Sequence, residues 1–145
     1  MNDAMRSNAK WIFVVAFAGF ACGGGARPEN ASFPETPLAT FSSEADRLVI
    51  EVRTAPDQPP ERGVDAVQLV VKDSSGTPQD GLQIVAALWM PAMGHGSSVD
   101  PTVTARGKGT YVLDNVYLYM PGHWELRTSF SGSVTDRATP AFDVP

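Results

Sequence analysis

From Leu48 onward, apolar and polar residues alternate in short runs. Leu48, Ile50 and Val52 interleave with Glu51 and Arg53, and Val67, Leu69 and Val71 with Gln68 and Lys72. A period of two puts one set of side chains on a buried face and the other in water, which predicts half-buried strands and not helices. Asp73-Ser-Ser-Gly-Thr-Pro78 is turn chemistry. The next strand carries Leu82, Ile84, Ala86 and Leu88 on one face and Gln83, Val85, Ala87 and Trp89 on the other. A loop from Met90 to Asp100 interrupts it. Thr102 to Arg106 and Thr110 to Asp114 form strands joined by the hairpin turn Gly107-Lys-Gly109, and Pro121-Gly122 makes a further turn. From His123 to Phe130, Trp124, Leu126, Thr128 and Phe130 face one way and Glu125, Arg127 and Ser129 the other. Ser131-Gly-Ser133 then leads into a last strand ending near Val144, in which Pro140 marks an edge or a bulge. About seven short strands, with turn signals roughly every ten residues, predict an all-β fold, an immunoglobulin-like antiparallel β-sandwich. A small closed barrel fits the same periodicity.

The pattern is different before Asp46. Residues 22–45 are mostly Gly, Ala, Pro, Ser, Thr and Glu, a composition that buries too little surface to offset the entropy of ordering, and they are expected to form a flexible tether. Phe33, Leu38 and Phe41 within it follow neither a helical nor a strand spacing. Residues 1–21 have the features of an export signal: Arg6 and Lys10 precede the uncharged, mostly apolar run Trp11 to Ala21, which is too short to span a bilayer. The run ends at Ala21-Cys22, followed by three glycines, and resembles a bacterial lipobox, although Gly19 stands where lipoboxes usually carry Leu. The resemblance implies a signal peptide over 1–21, an acylated Cys22 at the start of the mature chain, and a lipoprotein anchored in the bacterial cell envelope. The other reading has cleavage nearby, between Ala21 and Ala26, with Cys22 incidental. Gly23, where an Asp usually signals retention at the inner membrane, points to the periplasmic face of the outer membrane. The expected sandwich domain then covers 46–145.

Composition narrows the function. The 145 residues make one domain, and 19% charged residues with Gly 13 and Pro 12 agree with many turns. A formal net charge of -5 leaves no basic stripe to displace counterions, so nucleic acid is excluded as a partner. One cysteine makes no internal disulfide, and with two histidines it does not complete a four-ligand zinc site of the usual kind.

Both histidines, and every methionine beyond the signal, fall in two segments, Trp89-Met-Pro-Ala-Met-Gly-His95 and Tyr119-Met-Pro-Gly-His-Trp124. In an immunoglobulin-like sandwich the third and sixth strands are antiparallel neighbours. Trp89 ends the third and His123 begins the sixth, so Met90, Met93, His95, Met120 and His123 are expected in one neighbourhood. Thioethers are soft ligands that select Cu(I), and imidazole also suits Cu(II), so the candidate metal is copper. Trp89, Tyr119 and Trp124 are candidates to shield a bound cation. The competing reading makes Met90 and Met120 core plugs, since methionine fills irregular gaps beside aromatics. Met93 and His95 have no such place in an alternating pattern. Ser97, Ser98, His95 and Asp100 contain triad residue types without a nucleophile elbow, and Gly107-Lys-Gly109 has no helix to make it a phosphate loop. No catalytic residue is assigned.

From about Leu48 to Val144 the chain resembles the YtkA-like domain family, through Met-Pro-x-Met-Gly-His at Met90 to His95 and Met-Pro-Gly-x-Trp at Met120 to Trp124. The resemblance implies a small immunoglobulin-like sandwich on an envelope protein. The motif is also similar to the Met/His loops of periplasmic copper-handling proteins, implying copper trafficking or resistance without catalysis, with a transporter or an oxidase-assembly protein as partner. The alternative is a metal-free interaction module that docks an envelope partner through a sheet edge or the Met/aromatic loops. The anchor is directly testable: Cys22→Ser should abolish acyl labelling and move the protein from the membrane to the soluble envelope fraction, and unchanged membrane association would refute the lipobox reading.

Overall fold

The computed structural model describes residues 31–145; the expected signal, Cys22 and the first part of the expected tether lie outside the described residues. Ten strands follow in chain order: β1 (Ala39–Ser42), β2 (Leu48–Ala55), β3 (Gly63–Asp73), β4 (Gln83–Met90), β5 (His95–Gly96), β6 (Thr102–Gly107), β7 (Thr110–Leu118), β8 (Gly122–Ser131), β9 (Asp136–Ala138) and β10 (Ala141–Val144). They build two antiparallel five-stranded sheets. Sheet A has the order β1-β2-β3-β7-β6, and sheet B the order β10-β8-β4-β5, with β9 also paired to β8. This is the sandwich and not the barrel. Among the described residues no helix is long and apolar enough to cross a membrane.

The inward residues of both sheets make one core. Leu48, Ile50, Leu69 and Leu113 from sheet A are buried together with Leu126 and Phe130 from sheet B. Tyr111 is the core's polar tie: its buried hydroxyl donates to Gln79 O at 2.8 Å and accepts from Leu82 N–H at 3.0 Å. That pins the turn before β4 onto β7 and satisfies two main-chain groups that would otherwise be stranded.

Three of the ten strands go beyond the seven expected. Pro140 splits the last strand into β9 and β10, and its carbonyl accepts from Leu126 N–H at 2.7 Å between them. β5 is a two-residue return on β4. β1 corrects the expected tether, because Ala39–Ser42 pairs with Val49–Val52 of β2, and Leu38 and Phe41 pack against the core. Main-chain pairing, which side-chain spacing does not report, orders this stretch. A polar lock follows it. Ser43 Oγ donates to Asp136 Oδ2 at 2.6 Å and accepts from Leu48 N–H at 2.8 Å, while Ala45 and Arg137 N–H donate to Asp136 Oδ1. Burial alone would raise the Asp136 pKa, but these donors outweigh it and hold the carboxyl below its ordinary range.

β7 runs on to Leu118, past the expected end at Asp114. Asn115 adopts φ 62°, and the β3–β7 register shifts between Asp65 and Val67, leaving Ala66 opposite Asp114 and Asn115. The extra residue breaks the period-two pattern within one continuous strand. Leu126 is fully buried opposite Leu88. Leu126→Ala should therefore cost about 2–5 kcal/mol in urea unfolding, whereas Val85→Ala on the exposed face of the same sheet should stay within about 0.5 kcal/mol.

Candidate functional site

The site is built on the β4–β8 ladder. Trp89 opposes Glu125, so the chain leaves β4 and enters β8 at the same end of the sandwich. The two methionine segments thereby lie side by side. Met90 Cε reaches over Gly122, where an added Cβ would stand 2.7 Å from it, and the φ of +126° at Gly122 is a backbone conformation that favours glycine. Beyond Met90 the chain makes a tight turn: the N–H groups of Met93 and Gly94 donate to Met90 O at 3.1 and 3.0 Å. β5 then folds back with His95 opposite Met90. On the other segment, Trp124 Nε1–H donates to Met120 O at 2.9 Å, tying the loop to the core through a buried indole.

The five candidate donors occupy three positions. Met90 is 4% exposed and belongs to the core, and Met120 is half-buried against it. Met93 is 56% exposed in the turn, and His95 is exposed with Nδ1 3.2 Å from Gly96 O. His123 is exposed, and its Nδ1 pairs with Asp143 Oδ1 at 2.9 Å across β8 and β10. Directly opposed residues share a face of a sheet, so His95 lies on the Met90 face. His123 alternates with buried Trp124 and lies on the outer face with Glu125 and Arg127. The structure therefore brings together the two backbones, Met90, Met93, His95 and Met120 at one end, and sets His123 around the rim. Asp143 occupies Nδ1 of His123 and leaves Nε2 as its open nitrogen.

Among the described residues no group of three or more His, Cys, Asp and Glu stands close enough to hold a metal ion. The methionine sulfurs at this end are soft donors. The aromatic residues have other partners. The Arg127 guanidinium lies 4.6 Å from the Trp89 ring centroid, and Tyr119 meets Tyr117 at 5.3 Å between centroids. Trp89 is thus occupied by a cation of the protein's own.

Sequence reasoning missed Asp65. It lies on the buried face of β3 opposite Val116, is 6% exposed, and its Oδ2 has no hydrogen-bond partner. Extending the Val67, Leu69, Val71 alternation back by one step already places Asp65 inward. The first residues of β3 lie beside the end of β7 and so at the same end of the sandwich as the methionine segments. Burial pushes the Asp65 pKa up to about 6, and the carboxylates of Asp57 and Glu61 push the same way. The unfolded chain titrates this group near 3.9. Between the two values the folded state holds more protons, so this contribution to stability is fully present below about pH 4 and lost as pH rises through about 6. Asp65→Asn should flatten the loss of thermal stability between pH 5 and pH 7.5 and raise the melting temperature at the upper end; a pH profile identical to that of the unsubstituted protein would refute the assignment.

Compared with known proteins, residues 43–129 match the model of a family described as YtkA-like. No curated protein and no solved structure matches the chain.

Proposed function

The chain belongs to the YtkA-like family, whose match over residues 43–129 takes in both methionine segments, and from that premise we propose that this end of the sandwich binds copper as a cargo. The observation that carries the reading is the side-by-side placement of the two segments, which puts exposed Met93 and His95 at the same end of the sandwich as half-buried Met120. Sulfur and imidazole together suit copper, and a thioether-rich set favours Cu(I). Met93 and His95 are the primary donors, and Met120 and Met90 are the further sources of sulfur. His123, oriented by Asp143, is an outer imidazole for the transfer of the ion. The protein acts as a carrier without catalysis. An acylated Cys22 and the residues after it would hold it in the bacterial envelope, at the periplasmic face of the outer membrane, within reach of an exporter or an oxidase-assembly protein.

The second reading is a metal-free module that docks a partner through the same end, favoured by the exposure of Met93 and of Tyr119, 53%. Competition titration with a Cu(I) chelator separates the two. The unsubstituted protein should bind one equivalent, and Met93→Leu and His95→Ala should each weaken binding by about tenfold or more, with smaller losses for Met120→Leu and His123→Ala. Leu preserves the volume of methionine and removes the sulfur, so folding is retained. Absence of stoichiometric binding to the unsubstituted protein would leave the docking reading.

A further inference from the structure

Sheet B ends on β4 for most of that strand's length. β5 covers only Trp89 and Met90, and Ser97 N–H reaches Leu88 O at 3.3 Å. From Gln83 to Ala87 no described residue pairs with the side of β4 turned away from β8. The register identifies the free groups. Leu126 N–H turns away from β4 to Pro140 O, so Leu88 and Leu126 face each other without mutual hydrogen bonds. Two steps along, Ala86–Thr128 and Ile84–Phe130 are pairs of the same kind. The N–H and C=O of Ile84 and Ala86 therefore point out of the edge.

The other edges are protected in the usual ways. β1 is only four residues long. β9 and β10 are interrupted at Pro140 and carry Asp136, Arg137 and Asp143. β6 carries Arg106 and a register shift between Ala105 and Gly107. Gln83–Leu88 has no charge, no proline and no bulge, and its outward Val85 is 73% exposed.

We propose that this edge pairs with the same edge of a second copy, β4 against β4, antiparallel about a two-fold axis through Val85. Ile84 of each copy then faces Ala86 of the other, and their four outward N–H and C=O groups on each side make four main-chain hydrogen bonds. Val85 packs on Val85 of the copy across a close pair without mutual hydrogen bonds. β5 pairs only with Trp89 and Met90 and Ser97 with Leu88, so the paired stretch is confined to Gln83–Ala87 and each copy must leave the ladder at Leu82. A second copy fits because the arrangement is isologous and closes at two molecules, and because a neutral strand does not repel its twin. The net charge of -5 lies elsewhere on the molecule and is screened within about 8 Å at physiological salt. Five residues of strand, roughly 17 Å, make a small interface, so association is weak and concentration-dependent.

The inference is independent of the copper reading. Sedimentation velocity of the full chain, from about 1 µM to about 1 mM, should show reversible dimerisation, and Val85→Lys should weaken it at least about tenfold while remaining folded, since Val85 faces water. The register has its own readout. In a Cys22→Ser background, Val85→Cys should form an oxidised dimer, whereas Ala87→Cys, held roughly 13 Å from its twin by the antiparallel offset, should not. A protein that stays monomeric to the highest concentration, a dimer indifferent to Val85→Lys, or equal cross-linking at 87 would each overturn the proposal, the first leaving the edge to an extended segment of another protein.

Discussion

The register in which β4 meets β8 is the constraint on which the rest of the molecule depends. With Trp89 opposite Glu125, Ile84, Ala86 and Leu88 of β4 and Leu126, Thr128 and Phe130 of β8 all point into the core. A slip of β4 by one residue against β8 would turn Ile84, Ala86 and Leu88 to water and bring Gln83, Val85 and Trp89 to the inner face, so the apolar pattern holds the pairing at one value. Thr128 is the single polar member of the inward set on β8, and its hydroxyl donates to Ala138 O at 2.7 Å, which binds β9 to the same ladder. The register also sets Gly122 beneath Met90 and decides which main-chain groups of β4 reach the open edge.

Two buried carboxylates divide the sandwich into unlike ends. Asp136 closes the end where β1 leads into β2, surrounded by donors from Ser43, Ala45 and Arg137, and is kept ionised despite its burial. Asp65 lies at the end of the methionine segments with one oxygen unpartnered and two further carboxylates raising its pKa. A buried polar group without partners costs free energy. The methionine end is the one at which a buried carboxylate oxygen goes unpartnered beside exposed Met93 and Tyr119, while the carboxylate at the other end has both oxygens bonded.

Where one face of a strand is buried and the other wet, the alternation alone located it: β2, β4 and β8 were legible to within two residues from Leu48, Leu82 and Trp124 outward. The second half of β7 was hidden because Asn115 inserts a left-handed residue and shifts the pattern by one. β1 and β5 were hidden because main-chain pairing makes them, and that pairing leaves no periodic trace over two to four residues. The meeting of the two methionine segments could be inferred from strand order. The face on which each donor lies could not, because it takes the exact pairing, Met90 with His95 and Trp89 with Glu125, to show that His95 and His123 belong to opposite faces of sheet B. The partner of Trp89 was hidden for a related reason: its ring lies on the outer face with Arg127, a contact made across strands and invisible along the chain.

The strand that delivers Met90 to the site also carries the open edge, and geometry keeps the two from interfering. In an antiparallel β4–β4 pair centred on Val85, each Met90 lies five residues from the axis in opposite directions. At about 3.4 Å per residue the two methionine ends stand roughly 34 Å apart. Self-pairing therefore builds no shared ligand shell and blocks neither copy's Met93 and His95. An ion held at one end would exchange with a partner of that end alone, and the dimer would present two identical, oppositely directed surfaces. Any effect of dimerisation on metal affinity would have to pass along β4 through its register with β8, the element that both features share.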